Sequence, residues 1–138
     1  MTDVLVEEES AELKEFRSKV IAFLDREAPK RAPRNEGDAE VDFELGDVNR
    51  TRAYQAALYD AGLAGITWPK PFGQGLTSEH TRVFNEECAG RDIPAGLYTI
   101  GLGMVIPTMI EFGTDAQKDR FVAKARRGDA VWSQAVSA

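Results

Sequence analysis

The sequence predicts an all-α fold, an orthogonal bundle of about five or six helices with a C-terminal extended strand segment. Three observations carry that expectation. Leu13, Phe16, Val20, Phe23 and Leu24 recur at helical spacing and form one apolar stripe. Leu63–Leu76, reading LAGITWPKPFGQGL, joins two helical segments through a rigid Trp-Pro-x-Pro-aromatic-Gly turn. Thr114-Asp115-Ala116-Gln117 is a capping box, a strong local marker of a helix start.

In chain order, Ser10 can cap a first helix that runs to about Ala28, where Pro29 stops it. The polar stretch Lys30–Gly46, with Pro33 and Gly37, reads as a long surface loop without an assignable pattern. A second helix is expected from about Asp47, its cap, to Ala61, with Tyr54, Ala57, Leu58 and Ala61 inward. Gly62 stands where a left-handed C-cap is wanted. Pro69 and Pro71 fix backbone angles and remove donors, so their turn cannot join a helix or a central strand. Thr77 starts a third helix to about Gly90, carrying Val83, Phe84 and Cys88.

Pro94–Phe112 is apolar or small nearly throughout, which marks a helix buried on all sides. Gly101, Gly103 and Pro107 are expected to split it into two shorter helices, with some face offered to another domain or subunit. After the capping box, Phe121, Val122 and Ala125 continue a last helix to Gly128. Val131–Ala138 then alternates like a β-strand, with no ladder partner in the chain.

The totals exclude several classes of function. The 138 residues suit one domain with a real core, at 43% hydrophobic and 29% charged composition. Net charge is −6, and the only tight basic cluster, Lys124, Arg126 and Arg127, sits where cations complement a helix end. Nucleic acid is therefore rejected as a partner. No apolar run reaches the roughly 20 residues of a membrane span, and the acidic N-terminus resembles neither a secretory signal nor a transit peptide. A soluble, reducing, cytoplasmic setting follows.

Candidate motifs carry little chemistry by themselves. Gly101-Leu102-Gly103 lacks the third glycine of a dinucleotide fingerprint, since Ile106 stands there, and no strand precedes it. The carboxylates Glu7-Glu8-Glu9 and Glu86-Glu87 are adjacent in sequence, so they would face different directions on a helix, and they read as solvated faces. Cys88, the single cysteine, reads as a small buried hydrophobe, and the single histidine, His80, as a first-turn residue. No cluster has metal-ligand spacing, so no metal is expected. No set of residues within the chain is expected to run a reaction alone, and no catalytic residue is assigned.

The order of features, GLAGITWPKPFGQGLT, then HTRVFNEECAG, GLGMVIPTMIEFGT and QKDRFVAKARRGDAVWSQAVS, resembles the N-terminal helical domain of the FAD-dependent acyl-CoA dehydrogenases. The likeness runs from about Ala11 to Ser137. It implies a helical domain over 1–128 and the start of a middle β-domain over 129–138. The rest of that β-domain and a C-terminal helical domain would come from polypeptide outside this sequence, in a subunit that is usually a homo-oligomer. It also implies that an acyl-CoA thioester is dehydrogenated at its α,β-bond by a glutamate base and a flavin that takes hydride. By position, Thr99, Ile100, Gly103 and Met104 would face the acyl chain, and Gln134, Val136 and Ser137 would contact FAD. The turn departs from the family pattern, with Pro71 and a single glycine before Gln74, and Ala138 stands at the family's acidic position. The chain alone is accordingly expected to hold no stable flavin and to show no dehydrogenase activity. Two other readings stand beside this one: a free-standing interaction protein using the apolar surface around Leu97–Met109, and a carrier of a small apolar ligand.

Overall fold

A computed structural model describes residues 8–28, 30, 45–94 and 97–132, with the side chains of 45–47 left aside. Its architecture is all-α: α1 (Ala11–Glu27), α2 (Leu45–Asp60), α3 (Ser78–Cys88), a π-helical turn (Gly101–Val105), α4 (Ile106–Phe112) and α5 (Asp115–Arg127). Most of the 30–46 loop and the expected strand beyond Trp132 lie outside the described residues.

Two clusters form the core, and the loop between α2 and α3 serves both. The predicted stripe of α1 is buried in full and packs on α3, with Tyr54, Leu63, Ile66 and Val83 completing the first cluster. Ile106 of α4 and Val122 and Ala125 of α5 form the second, where Trp68, Phe72, Leu102 and Trp132 also pack. Leu63 and Ile66 thus enter one cluster while Trp68 and Phe72 enter the other. The loop closes on its own backbone: Gln74 N–H donates to Gly65 O at 2.9 Å, Gly75 N–H to Trp68 O at 2.8 Å and Leu76 N–H to Ile66 O at 2.9 Å. The Lys70–Pro71 peptide within it is cis.

Helix ends follow the sequence in several places. Ser10 Oγ accepts from Leu13 N–H at 3.3 Å, and Gly62 takes the left-handed φ of +72° foreseen for it. In the box that opens α5, Gln117 N–H donates to Thr114 Oγ1 at 3.2 Å and Thr114 N–H to Gln117 Oε1 at 2.9 Å. The start of α2 differs: the helix begins at Leu45, so Asp47 lies inside its first turn instead of capping it.

His80 is a first-turn residue, as its position predicts, yet it is buried and structural. Thr77 N–H donates to its Nδ1 at 3.3 Å, which leaves Nε2 to carry the proton and face Glu12 Oε1 at 3.2 Å. Its ring meets Phe16 edge-on at 4.9 Å, so the cap of α3 is fastened directly to α1.

The expected break in the small-residue helix is replaced by a wide turn. Helical backbone runs without interruption from Thr99 to Phe112, and Ile106 N–H bonds Gly101 O, five residues back. Pro107 supplies the reason. Its missing N–H and its ring, which would crowd the carbonyl one turn earlier, are accommodated where the helix has already widened. Glycines at 101 and 103 bend into such a turn at little steric cost.

The paired carboxylates also differ from their reading as a solvated face. Arg17 of α1 gathers Glu9 at 2.7 Å, Glu86 at 2.8 Å and Glu87 at 2.7 Å, binding the N-terminal arm and α3 to one guanidinium. Hydrogen bonds from Arg17 hold the Glu9 and Glu86 carboxyls below the usual 4.5, and Arg82 adds to the effect at Glu86. Because the folded state depresses these values, the unfolded chain takes up more protons as pH falls. The stabilisation is complete above about pH 4.5 and is lost as pH falls through the folded values. Arg17→Met is therefore expected to flatten the dependence of the urea midpoint on pH between about 5 and 3. An unchanged slope in the variant would assign acid sensitivity to other carboxylates.

Candidate functional site

The α2–α3 loop and the helix beginning at Thr99 face each other across an open cleft of about 490 Å³. Leu63, Ala64, Ile66 and Trp68 line the loop side; Leu58 of α2 and Phe84 of α3 extend the apolar surface. Thr99, Leu102 and Gly103 form the opposite wall, and Gln55, Thr67, Thr81, Asn85, Tyr98 and Arg126 provide the polar groups. Such a lining, apolar with a few placed polar groups, is what a small-molecule site requires.

Thr99 and Gly103, two of the four residues expected to face an acyl chain, line this cleft together. They are one helical turn apart and share a face. Ile100 and Met104 each follow one residue later, about 100° around the helix, and lie outside the lining. Met104 is 54% exposed. No atom stands within 4 Å of a Cβ built on Gly103, so this glycine opens onto space. Gln134, Val136 and Ser137, named as flavin contacts, lie outside the described residues.

The approach to that last segment is described as far as Trp132. Two side chains secure the carbonyl end of α5: Gln55 Nε2 donates to Arg126 O at 2.7 Å, and Tyr98 Oη to Gly128 O at 2.8 Å. Gly128 is left-handed at φ +90°, and a Cβ there would stand 2.7 Å from Tyr98 Oη. The chain then brings Trp132 against the π turn, where its Cβ is 3.3 Å from a Cβ built on Gly101, with its ring edge-on to Phe121 at 5.3 Å. Trp132 therefore packs on Gly101 of the helix that also carries Thr99, Leu102 and Gly103 into the cleft.

Other reactive groups sit elsewhere. Burial pushes the Cys88 thiol up to about 11, which keeps it protonated and unreactive, in line with its reading as a small hydrophobe. Among the described residues no His, Cys, Asp and Glu set could hold a metal ion, and no helix is long and apolar enough to cross a membrane.

Sequence reasoning missed Arg126 as a cleft residue by treating it with Lys124 and Arg127 as a cation at a helix end. The last turn of α5 does hold all three. Position 126, however, lies one turn beyond buried Val122, and that spacing was a usable signal for an inward side chain.

Residues 10–129 match the family described as acyl-CoA dehydrogenase, N-terminal domain. The acyl-CoA dehydrogenase IpdE1 of Mycobacterium tuberculosis is 31% identical over 127 residues, covering 91% of this chain and 33% of the relative. Its namesake in Mycolicibacterium smegmatis is 32% identical over 134 residues, covering 91% and 32%. The acyl-CoA dehydrogenase FadE34 of M. tuberculosis is 35% identical over 83 residues, covering 60% and 12%. This chain thus spans no more than about a third of the length of these relatives. No solved structure matches it.

Proposed function

This chain belongs to the acyl-CoA dehydrogenase family as its N-terminal domain, and from that premise we propose that it forms one wall of an acyl-thioester pocket. The reaction served is an FAD-dependent α,β-dehydrogenation of an acyl-CoA in a homo-oligomeric enzyme. The catalytic base and most of the flavin's contacts come from further domains, and the chain alone has no dehydrogenase activity. The setting is cytoplasmic.

One observation carries the reading: Thr99 and Gly103 share a 490 Å³ apolar cleft with the Trp68 loop. Thr99 and Gly103 contact the acyl chain there, while Ile100 and the exposed Met104 continue the wall toward the neighbouring domain. Apolar burial along the cleft supplies the affinity, at about 0.8 kcal/mol per methylene. The glycine leaves room that any side chain would fill.

Gln134, Val136 and Ser137 are the proposed flavin contacts.

Filling the cleft tests the proposal. In a polypeptide that joins this domain to the flavin- and base-bearing domains, Gly103→Phe is expected to lower kcat/KM for long acyl thioesters about ten-fold or more, the cost of a few displaced methylenes. Short thioesters are expected to stay within about two-fold of the parent. Equal losses for long and short substrates would remove Gly103 from the acyl wall.

A further inference from the structure

The cleft is apolar apart from a few neutral polar groups and one charge. Arg126 is the single charged side chain in its lining among the described residues. Its neighbour Arg127 faces Asp60 and Asp129 at 3.8 Å, whereas no described carboxylate lies within ion-pair distance of Arg126. The guanidinium is held in place all the same. Nη1 donates to Phe72 O, and Cζ lies 4.7 Å from the centroid of the Tyr59 ring. Nε–H is buried with no acceptor. Gly65 makes space for the side chain beneath the loop: at its φ of +66°, a Cβ would meet Trp68 Cε3 at 2.8 Å and Arg126 Cδ at 3.2 Å.

A half-buried cation without a counter-ion among the described residues, and with a donor left over, is costly to maintain. Each buried unsatisfied donor calls for a reason, and an absent ligand is one. Guanidinium is planar and always charged, and its fork matches the paired oxygens of a carboxylate or phosphate. Lysine in that place would be a point charge, free to swing out to water. The stack on Tyr59 and the bond to Phe72 O preorganise the group before anything binds.

We propose that Arg126 is an anion anchor, and that the cleft takes a ligand with an apolar body and one oxyanion end. This deepens the acyl-thioester reading and rests on it for the apolar body. In that setting the oxyanion is either a carboxylate closing the far end of the acyl group or a phosphate of the coenzyme. Arg126 fixes which way round the ligand lies, because only one of its ends can meet the guanidinium.

The test uses the 138-residue chain, with binding followed through the Arg126 Nε–Hε signal in nitrogen–proton NMR. Decanoate and decanol differ in charge and share the apolar body, while coenzyme A without an acyl group carries phosphate alone. The expected result is that decanoate or coenzyme A shifts the Nε–Hε signal, with the oxyanion probe binding about ten-fold tighter than decanol. Arg126→Gln should reduce that preference to within about two-fold, and Arg126→Lys should keep part of it. A response to decanoate assigns the carboxylate, and one to coenzyme A alone assigns the phosphate. Equal binding of decanoate and decanol with coenzyme A silent, or no binding of any probe, overturns the anchor. So does a preference that survives Arg126→Gln. None of these outcomes touches the chain-length profile of Gly103→Phe, so the two readings fail separately. Thermal melts of both Arg126 variants show whether each is folded, and Arg126→Lys carries the test if Arg126→Gln is not.

Discussion

Gly73→Ala is expected to destabilise the domain by about 3 kcal/mol, at the upper end of what overpacking costs, although it adds one methyl group. A Cβ at Gly73 would lie 2.4 Å from Gly65 O, 2.4 Å from Trp68 Cβ and 2.8 Å from Trp68 O. Two of these neighbours are backbone atoms, and Gly65 O already accepts from Trp68 N–H and Gln74 N–H. Neither can retreat without breaking the loop's own hydrogen bonds. Since that loop joins both core clusters, the strain is felt in each. Gly103→Ala is the matched control, because the same methyl group there meets open space. It is expected to be neutral or to stabilise by less than about 1 kcal/mol. Urea midpoints of the two variants decide the matter; equal midpoints would show that the loop yields more readily than its contacts imply.

The second large effect is expected at Ile106, which is fully buried at the junction of the π turn and α4. Ile106→Ala removes methylenes from the smaller cluster, where Val122 and Ala125 are the other fully covered members. A loss of about 2–5 kcal/mol is expected, with the upper half of that range if the site cannot collapse. Leu102, in the same cluster, also lines the cleft. The variant should therefore bind decanoate more weakly as well as unfold earlier. Denaturant titration and the NMR binding assay measure the two effects independently, and full retention of binding would show the wall to be rigid without Ile106.

Most helices were legible because each is marked by local physics. The α1 stripe is a matter of period, and all five of its residues are buried. The Thr114–Gln117 box closes within four residues, so it needs no tertiary information. Arg17 was illegible for the opposite reason: its partners Glu86 and Glu87 are about seventy positions away. Adjacent glutamates start on different sides of a helix, but their long side chains converge on a guanidinium that only the fold brings near. The histidine at 80 shows an intermediate case. Its place in the first turn was readable, whereas its burial depends on Phe16 from another helix. Of the cleft, Thr99 and Gly103 were named through the family resemblance, together with Ile100 and Met104, which lie outside the lining, while Trp68 was read only as part of a rigid turn. Arg126 was obscured by two neighbouring cations that do lie at the surface.

The π turn at Gly101–Val105 has a further meaning for how this wall was assembled. A turn of that kind has the geometry left when one residue is spliced into an ordinary helix and the extra backbone bulges outward. Removing one residue from it would rotate everything upstream by about 100° relative to Pro107 and beyond. Thr99 would then swing off the cleft while Ile106 stayed seated in its cluster. The register of this wall is thus set by a single surplus amino acid, and shortening the helix there would reshape the cleft and also move Leu102 in its cluster and Tyr98 from Gly128 O.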